Sequence, residues 1–322
     1  MLIHKNNIAV LSKAIREIEQ GIATKASIDY FENVYNKVFE QTTWSTAQIK
    51  DDLFYRARKL TDARLFSNVS ELKYPPLGST KKLGRLNDVG DSIAYLSMHP
   101  LTSVAELDID YYELFCMAEI KYMKKDIDFF LVGTKEAKYE GLTVDEIEFM
   151  GYINKLLTSA NEEYYPATVA FARMVFKRRV EGTRVRLGIV YNSAQRHKSA
   201  QEELYNVAVL PKSFDECFRI RGVKCQLLSH AGGKIELHDV NNAKIKNGNV
   251  VWGKSYEEMI QDCTDKFKDD CFIINDEKGQ SFLIKYPEGS GIIKMINGSD
   301  YLVGFRNGGV KSINCHPIQS IM

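Results

Sequence analysis

Apolar residues recur at three- and four-residue steps through the first 50 positions, which is the spacing of an amphipathic helix. The first repeat consists of Ile8, Leu11, Ile15 and Ile18. The second repeat consists of Ile28, Phe31, Val34, Tyr35 and Val38. Ser27 stands directly before the second repeat, and serine caps helix N-termini by accepting a backbone N–H bond. We therefore predict a helical N-terminal extension over residues 1–50.

From residue 51 the pattern becomes mixed, with short β-forming runs between turns marked by glycine and proline. The runs read IAYLS, LFCMAEIKYM and DFFLVG. Thr143 and Glu146 have the spacing of a capping box, and helical periodicity follows both this pair and Pro166. We predict an α+β domain over residues 51–240.

After about residue 240 the chain changes to short strand-like runs separated by hairpin signals. The runs read CFIIN, SFLIKY, GIIKMI and YLVGF, and Asn-Gly, Asn-Gly-Gly and Pro-Glu-Gly-Ser-Gly occur in the turns. We predict a β-rich C-terminal segment over residues 241–322. It forms a small antiparallel sheet, either packed on the core or folded as its own unit.

Composition narrows the classes of partner. The 322 residues are 44% hydrophobic and 26% charged, as in ordinary folded proteins, and the net charge of +1 provides no electrostatic footprint for nucleic acid. No stretch approaches the roughly 18 to 20 apolar residues that span a bilayer, and charges interrupt the N-terminus where a signal peptide is apolar. The six cysteines include no CxxC pair. We expect a cytoplasmic protein with reduced thiols, no metal site and neither nucleic acid nor membrane as a direct partner.

Five short motifs follow one another along the middle of the chain. They read LFYRAR (53–58), GRLNDVG (84–90), AYLS (94–97), TSVAE (102–106) and GIVYNS (188–193), and NVAV (206–209) comes after the last. Each alone has a structural explanation, such as a solvated arginine, a turn or a packed tyrosine. The order and spacing of the five motifs together are more specific than any one motif alone.

The series resembles the RES domain, a family named for its arginine, glutamate and serine. The resemblance covers residues 53 to about 230, more than half of the chain. It implies an ADP-ribosyltransferase-like split mixed sheet that grips NAD, and an enzyme that degrades NAD as a phosphorylase or a glycohydrolase. Many members are toxins paired with an antitoxin, so the resemblance also implies a toxin or defence role and a cognate antitoxin or immunity protein as partner.

By that match, four residues take the family's site positions: Arg56, Tyr95, Glu106 and Ser193. The planar donor fork of Arg56 is suited to the pyrophosphate, and the ring of Tyr95 to stacking on the cationic nicotinamide. Glu106, bonded to the ribose 2-hydroxyl, would stabilise the positive charge that develops on the ribose. The Ser193 hydroxyl would orient that ribose or the adjacent phosphate.

NAD is then a substrate and no cofactor is required, but the nucleophile stays open. Inorganic phosphate as co-substrate yields ADP-ribose 1''-phosphate, whereas water yields ADP-ribose. A phosphate route needs a second cationic site, for which Arg58, Lys82 and Arg85 are candidates by proximity in sequence. Arg85 and Asn87 also fall in the glycine-rich turn, residues 84–90, that supports the pocket.

The chain departs from the family pattern at Leu86, where an aromatic residue is usual, and at Asp88 and Asn192, where proline is usual. These departures bear on the shape of the pocket. Two alternatives stay open: an ADP-ribosyltransferase that modifies a macromolecule, and a non-catalytic module that binds NAD or ADP-ribose. Such transferases often have Glu or Gln two residues before the catalytic glutamate, where this chain has Val104.

Overall fold

The computed structural model is that of an α+β protein with a large mixed sheet. It describes residues 4–41, 46–47, 53–60, 64–107, 109, 113–123, 128–133, 143–177, 188–193, 205–231, 234–267, 271–275, 281–285, 290–295, 300–305 and 310–314. The helices are α1 (His4–Ala23), α2 (Ile28–Gln41), α3 (Ser70–Lys73), α4 (Pro100–Glu106), α5 (Val144–Thr158), α6 (Tyr165–Lys177), α7 (Pro211–Cys217) and α8 (Tyr256–Lys266), and a 3₁₀ helix spans Glu162–Tyr164. The strands are β1 (Thr46–Ala47), β2 (Leu53–Lys59), β3 (Ala94–Ser97), β4 (Leu114–Tyr122), β5 (Phe129–Val132), β6 (Gly188–Asn192), β7 (Tyr205–Val209), β8 (Phe218–Ala231), β9 (Lys234–Lys246), β10 (Asn249–Trp252), β11 (Cys271–Asn275), β12 (Ser281–Lys285), β13 (Ser290–Met295), β14 (Asp300–Phe305) and β15 (Val310–Asn314).

Ten strands form the large sheet, in the order β1-β5-β6-β7-β3-β2-β4-β8-β9-β10. Strands β5 and β6 are parallel, whereas β7 is antiparallel to both β6 and β3. The register pairs Asn206 of β7 with Ser97 of β3 and with Tyr191 of β6. This pairing fixes which side chains of β3, β6 and β7 share a face of the sheet.

Two compact units are distinguished along the chain. The first consists of Met1–Ala57, Val69–Leu107 and Ala118–Arg221, and the second of Arg58–Asn68, Asp108–Met117 and Gly222–Met322. Each unit therefore combines separate segments of sequence.

The core of the first unit includes side chains from α1, α2, α5, α6 and the strands β5 to β7. Leu11 and Ile18 of α1 are buried, as the helical repeat predicts, and Tyr35 of α2 meets Phe149 and Phe171 edge to face. The two N-terminal helices therefore contribute directly to this core. Ser27 accepts the predicted capping bond, from the N–H of Tyr30 at 3.4 Å.

The capping box predicted for α5 is confirmed. Thr143 Oγ1 accepts from the N–H of Glu146 at 3.3 Å, and Glu146 Oε2 accepts from the N–H of Thr143 at 2.7 Å. Helix α6 follows at the predicted place, beginning one residue before Pro166. Gly182, a residue type that often follows the end of a helix, lies outside the described residues.

A partly exposed ion-pair cluster lies between α3 and α7 in the first unit. Lys73 Nζ lies 2.8 Å from Asp215 Oδ1, and the Tyr74 hydroxyl donates to Asp215 Oδ2 at 2.6 Å. Partial burial alone would raise the pKa of Asp215, but these two partners outweigh burial and hold that pKa below its usual value. Burial and the neighbouring carboxylate raise the pKa of Tyr74 to about 12.

The second unit contains the long antiparallel β8–β9 hairpin, β10 and α8. Met259, Ile260 and Cys263 of α8 pack with Cys225 and Leu227 of β8 in a small core. The C-terminal strands are antiparallel, as predicted, but they form two sheets, β11–β12 and β13–β14–β15, rather than one. Helix α8 precedes them and was not predicted.

Four cysteines are free and buried, which agrees with the expected structural thiols: Cys116, Cys217, Cys225 and Cys263. The side chains of Cys271 and Cys315 lie outside the part that the structure describes. Within that part, no cluster of three metal-ligating side chains occurs. None of its helices combines the length and the apolar character needed to cross a bilayer.

Candidate functional site

The four residues assigned by the motif match lie on four elements of the first unit. Arg56 is on β2, Tyr95 is on β3, Glu106 ends α4, and Ser193 directly follows β6. Strands β6, β7, β3 and β2 are consecutive neighbours in the sheet. The sheet order therefore assembles motifs that are far apart in sequence.

Glu106 is the centre of the arrangement. Its Oε1 accepts from Ser193 Oγ at 2.5 Å and from Asn206 Nδ2 at 2.6 Å, although these residues are 87 and 100 positions away. Its Oε2 lies 3.5 Å from Arg85 Nη1. Ser193 and Asn206 are buried, whereas the Glu106 side chain is 24% exposed. One carboxylate oxygen is thus fixed by two donors, and the other can accept a donor from a ligand.

Asn206 is a further member of the site. No role was predicted for this residue from the sequence. Its Oδ1 accepts from Ser97 Oγ at 2.9 Å, which orients the amide so that Nδ2 faces Glu106. All five residues of β7, YNVAV, are buried. A buried asparagine in an apolar strand needs hydrogen-bond partners, so its polarity was a usable signal.

Arg85 supplies the positive charge beside Glu106. Its side chain is 16% exposed, and its backbone carbonyl accepts from Thr168 Oγ1 of α6 at 2.5 Å. Burial lowers the pKa of Arg85, but the neighbouring Tyr191 and Glu106 outweigh burial and raise it, so the group is a permanent cation. Its Nε is buried and has no hydrogen-bond partner among the described residues.

Tyr95 connects β3 to the glycine-rich turn. Its hydroxyl donates to Asn87 Oδ1 at 2.9 Å and accepts from the N–H of Leu86 at 3.2 Å. A Cβ on Gly84 would overlap Asn87 Oδ1, so the amide occupies the space that this glycine leaves. Burial raises the pKa of Tyr95 well above its usual value, which keeps the hydroxyl a donor. Arg56 Nη1 donates to the carbonyl oxygen of Tyr95 at 2.7 Å, so one arm of its fork is engaged across β2 and β3.

The three candidates for a second cationic site have different environments. Arg58 belongs to the second unit, and its guanidinium lies 5.9 Å from the ring centroid of Phe66. Lys82 is exposed. Arg85 is the candidate that contacts Glu106 within the described residues.

Comparison with known proteins identified no relative of this chain. No family model matches the chain, and neither a curated protein nor a solved structure matches it. Function must therefore be inferred from the chemistry of the site and from the resemblance of its motifs.

Proposed function

We propose that this chain is an enzyme that cleaves NAD at the bond between nicotinamide and ribose. The observation that carries the proposal is the meeting of Ser193, Asn206 and Arg85 at the carboxylate of Glu106. These residues come from separate elements, and two of them hold positions that the motif match assigns to chemistry. For the finer fold we propose an ADP-ribosyltransferase-like split sheet, with which a mixed sheet and flanking helices are compatible.

Glu106 supplies a carboxylate, the group that can stabilise positive charge on the ribose. When the N-glycosidic bond breaks, its electron pair moves onto the nicotinamide nitrogen, so nicotinamide leaves neutral and requires no acid. Positive charge then develops on the ribose. Glu106 Oε2 can accept a hydrogen bond from the ribose 2-hydroxyl that strengthens as this charge grows, while Ser193 and Asn206 keep the carboxylate in place.

Arginine and tyrosine side chains would bind the rest of the substrate. The planar guanidinium of Arg56 matches the geometry of phosphate oxygens, and we assign it to the pyrophosphate. The ring of Tyr95, fixed through its hydroxyl, is suited to stacking on the cationic nicotinamide. Arg85 provides a further positive charge beside Glu106.

A nucleophile completes the reaction by forming a bond to the anomeric carbon. Water yields ADP-ribose and releases a proton, whereas inorganic phosphate yields ADP-ribose 1''-phosphate. Arg85 is the described cation next to Glu106 and would hold a phosphate nucleophile if that route is used. Resolving the two products assigns the route.

Transfer of ADP-ribose to a macromolecule is the second candidate, and one observation disfavours it. Val104, two residues before Glu106, is 2% exposed and offers no polar group to an acceptor. Incubation of a lysate with labelled NAD tests this candidate, and a labelled protein or nucleic acid would favour it. Calorimetry that detects NAD binding without turnover would instead favour a non-catalytic module.

The proposed reaction implies that the NAD-cleaving activity is restrained in the cell that makes the enzyme. We propose a cytoplasmic location, where NAD is present, and a cognate antitoxin or immunity protein as partner. Expression should then lower cellular NAD, and co-expression of the partner should restore it. An unchanged NAD level during expression of the active protein would argue against the toxin role, but not against the reaction itself.

The direct test follows free nicotinamide after purified protein is mixed with NAD, with and without phosphate. We expect release by the unaltered protein and a loss of about 10²- to 10³-fold in Glu106→Gln, as when a transition-state-stabilising group is removed. Glu163→Gln is the matched control, because Glu163 is exposed on the 3₁₀ helix. No release under either condition, with Glu106→Gln behaving like the unaltered protein, would refute the proposal.

A further inference from the structure

Helix α6 contacts the glycine-rich turn and the residue that follows it. Near its start, Thr168 Oγ1 donates to the carbonyl oxygen of Arg85 at 2.5 Å. More than one helical turn later, Arg173 Nη2 lies 2.8 Å from Asp88 Oδ2 and 3.9 Å from Asp91 Oδ2. The first contact holds the backbone of the turn, and the second holds its far end.

Arg173 is itself held from the opposite side by α2. Its Nη1 lies 3.3 Å from Glu32 Oε1, and Lys177 Nζ lies 2.7 Å from Glu32 Oε2. Partial burial alone would raise the pKa of Glu32, but Lys177 and Arg173 outweigh burial and lower it, so the carboxylate is charged at neutral pH. Arg173 therefore connects an N-terminal helix to the turn.

We propose that Arg173 is a positioning residue of the NAD site, a proposal that rests on the function proposed above. It is paired with Asp88 and Glu32 and acts through the turn that carries Arg85 and Asn87. That turn is bounded by glycines, whose backbones are intrinsically free. The ion pair with Arg173 restrains the part of the turn around Asp88.

The kinetic test compares two variants that remove one charge each from the same network. Arg173→Gln loses the pair with the turn, whereas Lys177→Gln loses only a partner of Glu32. We expect Arg173→Gln to raise KM for NAD about three- to tenfold, in line with a partly exposed charged pair, with kcat within about twofold. Lys177→Gln should leave KM within about twofold, and Arg173→Lys should recover part of the loss.

Asp88→Asn removes the charge of the other partner in the ion pair with Arg173. If the pair is the origin of the effect, Asp88→Asn raises KM as Arg173→Gln does, and the double variant is no worse than either single variant. Losses that simply add would overturn the assignment of the effect to this pair. Should Arg173→Gln fail to fold, Arg173→Lys and Asp88→Asn provide the same comparison.

Amide hydrogen exchange tests the restraint without reference to NAD turnover. The N–H of Asp88 donates to Asp91 Oδ2 at 2.9 Å, and the N–H of Gly90 donates to the carbonyl oxygen of Thr80 at 2.9 Å. Both amides should exchange faster in Arg173→Gln and at the original rate in Lys177→Gln. If the unaltered protein releases no nicotinamide, the proposed function fails while exchange still decides whether Arg173 restrains the turn. Unchanged exchange and unchanged KM in a folded Arg173→Gln variant would overturn the proposal.

Discussion

Replacing Asn206 by leucine is the sharpest probe of the carboxylate network. Leucine is close to asparagine in shape but has neither a donor nor an acceptor. The change removes the 2.6 Å bond to Glu106 and the acceptor of the 2.9 Å bond from Ser97. Asn206 is 3% exposed and Ser97 is 4% exposed, so water has little access to replace the lost partners.

The expected cost follows from the two bonds. A hydrogen bond to a charged group contributes about 1.5 to 3 kcal/mol, and a buried hydroxyl that loses its partner costs about 1 to 3 kcal/mol. Burial of the leucine side chain offsets part of this loss. We expect the free energy of unfolding to fall by about 2 to 4 kcal/mol, and kcat/KM for NAD to fall about 10- to 100-fold in the folded variant, since the bond to the carboxylate is lost.

Asn241→Leu is the matched control for this measurement. Asn241 is 4% exposed and also makes two hydrogen bonds, to the carbonyl oxygen and from the N–H of Lys254. Urea unfolding should report a loss of stability in both variants, whereas nicotinamide release at a temperature where both are folded should fall only in Asn206→Leu. Full kcat/KM in folded Asn206→Leu would refute the role assigned to this amide.

Four further variants test other parts of the first unit. Gly84→Ala displaces the Asn87 amide and should lower kcat/KM about tenfold, whereas Gly151→Ala, where a Cβ meets open space, should raise the free energy of unfolding by about 0.5 to 1 kcal/mol; equal activity in the two variants would contradict this. Asp215→Asn should lower Tm at pH 7, and the difference should vanish as the pH falls through the lowered folded-state pKa of Asp215, because the ion pair is then lost in both proteins; a Tm difference that persists in acid would contradict this. Tyr35→Phe removes a buried hydroxyl without a partner among the described residues and should raise the urea midpoint, by about 1 kcal/mol in stability; a lower midpoint would contradict this.

Local signals predicted four helices of the first unit, α1, α2, α5 and α6. The Thr143–Glu146 capping box and the repeat in α2 depend on neighbours three or four residues away, which a sequence displays directly. Helix α8 was missed, because Met259, Ile260 and Cys263 are the only buried residues in an otherwise charged segment. The long strand β8 was also not predicted. Its residues 225–229 are all buried, but Arg219, Arg221 and Lys224 interrupt the apolar positions that precede them.

Pairing between distant strands is what the sequence did not reveal about the site. Glu106 and Ser193 were identified as site residues from motif order, but the contact of Glu106 with Asn206 depends on β7 lying between β6 and β3. Likewise, the ion pair of Arg173 with Asp88 depends on how α6 packs beside the turn. Such contacts are products of tertiary structure, and no local periodicity encodes them.

The register of β3, β7 and β6 consequently determines the geometry of the candidate site. Because Asn206 pairs with Ser97, the serine hydroxyl reaches the amide oxygen and the amide nitrogen reaches Glu106. A slip of one residue would turn the Asn206 side chain to the other face of the sheet and place Val207 in its position. That slip is opposed because it would bury the Asn206 amide away from Ser97 and Glu106, its two hydrogen-bond partners. The same packing that stabilises the sheet therefore holds the carboxylate donors in place, and a site on paired strands achieves a precision that loops rarely provide.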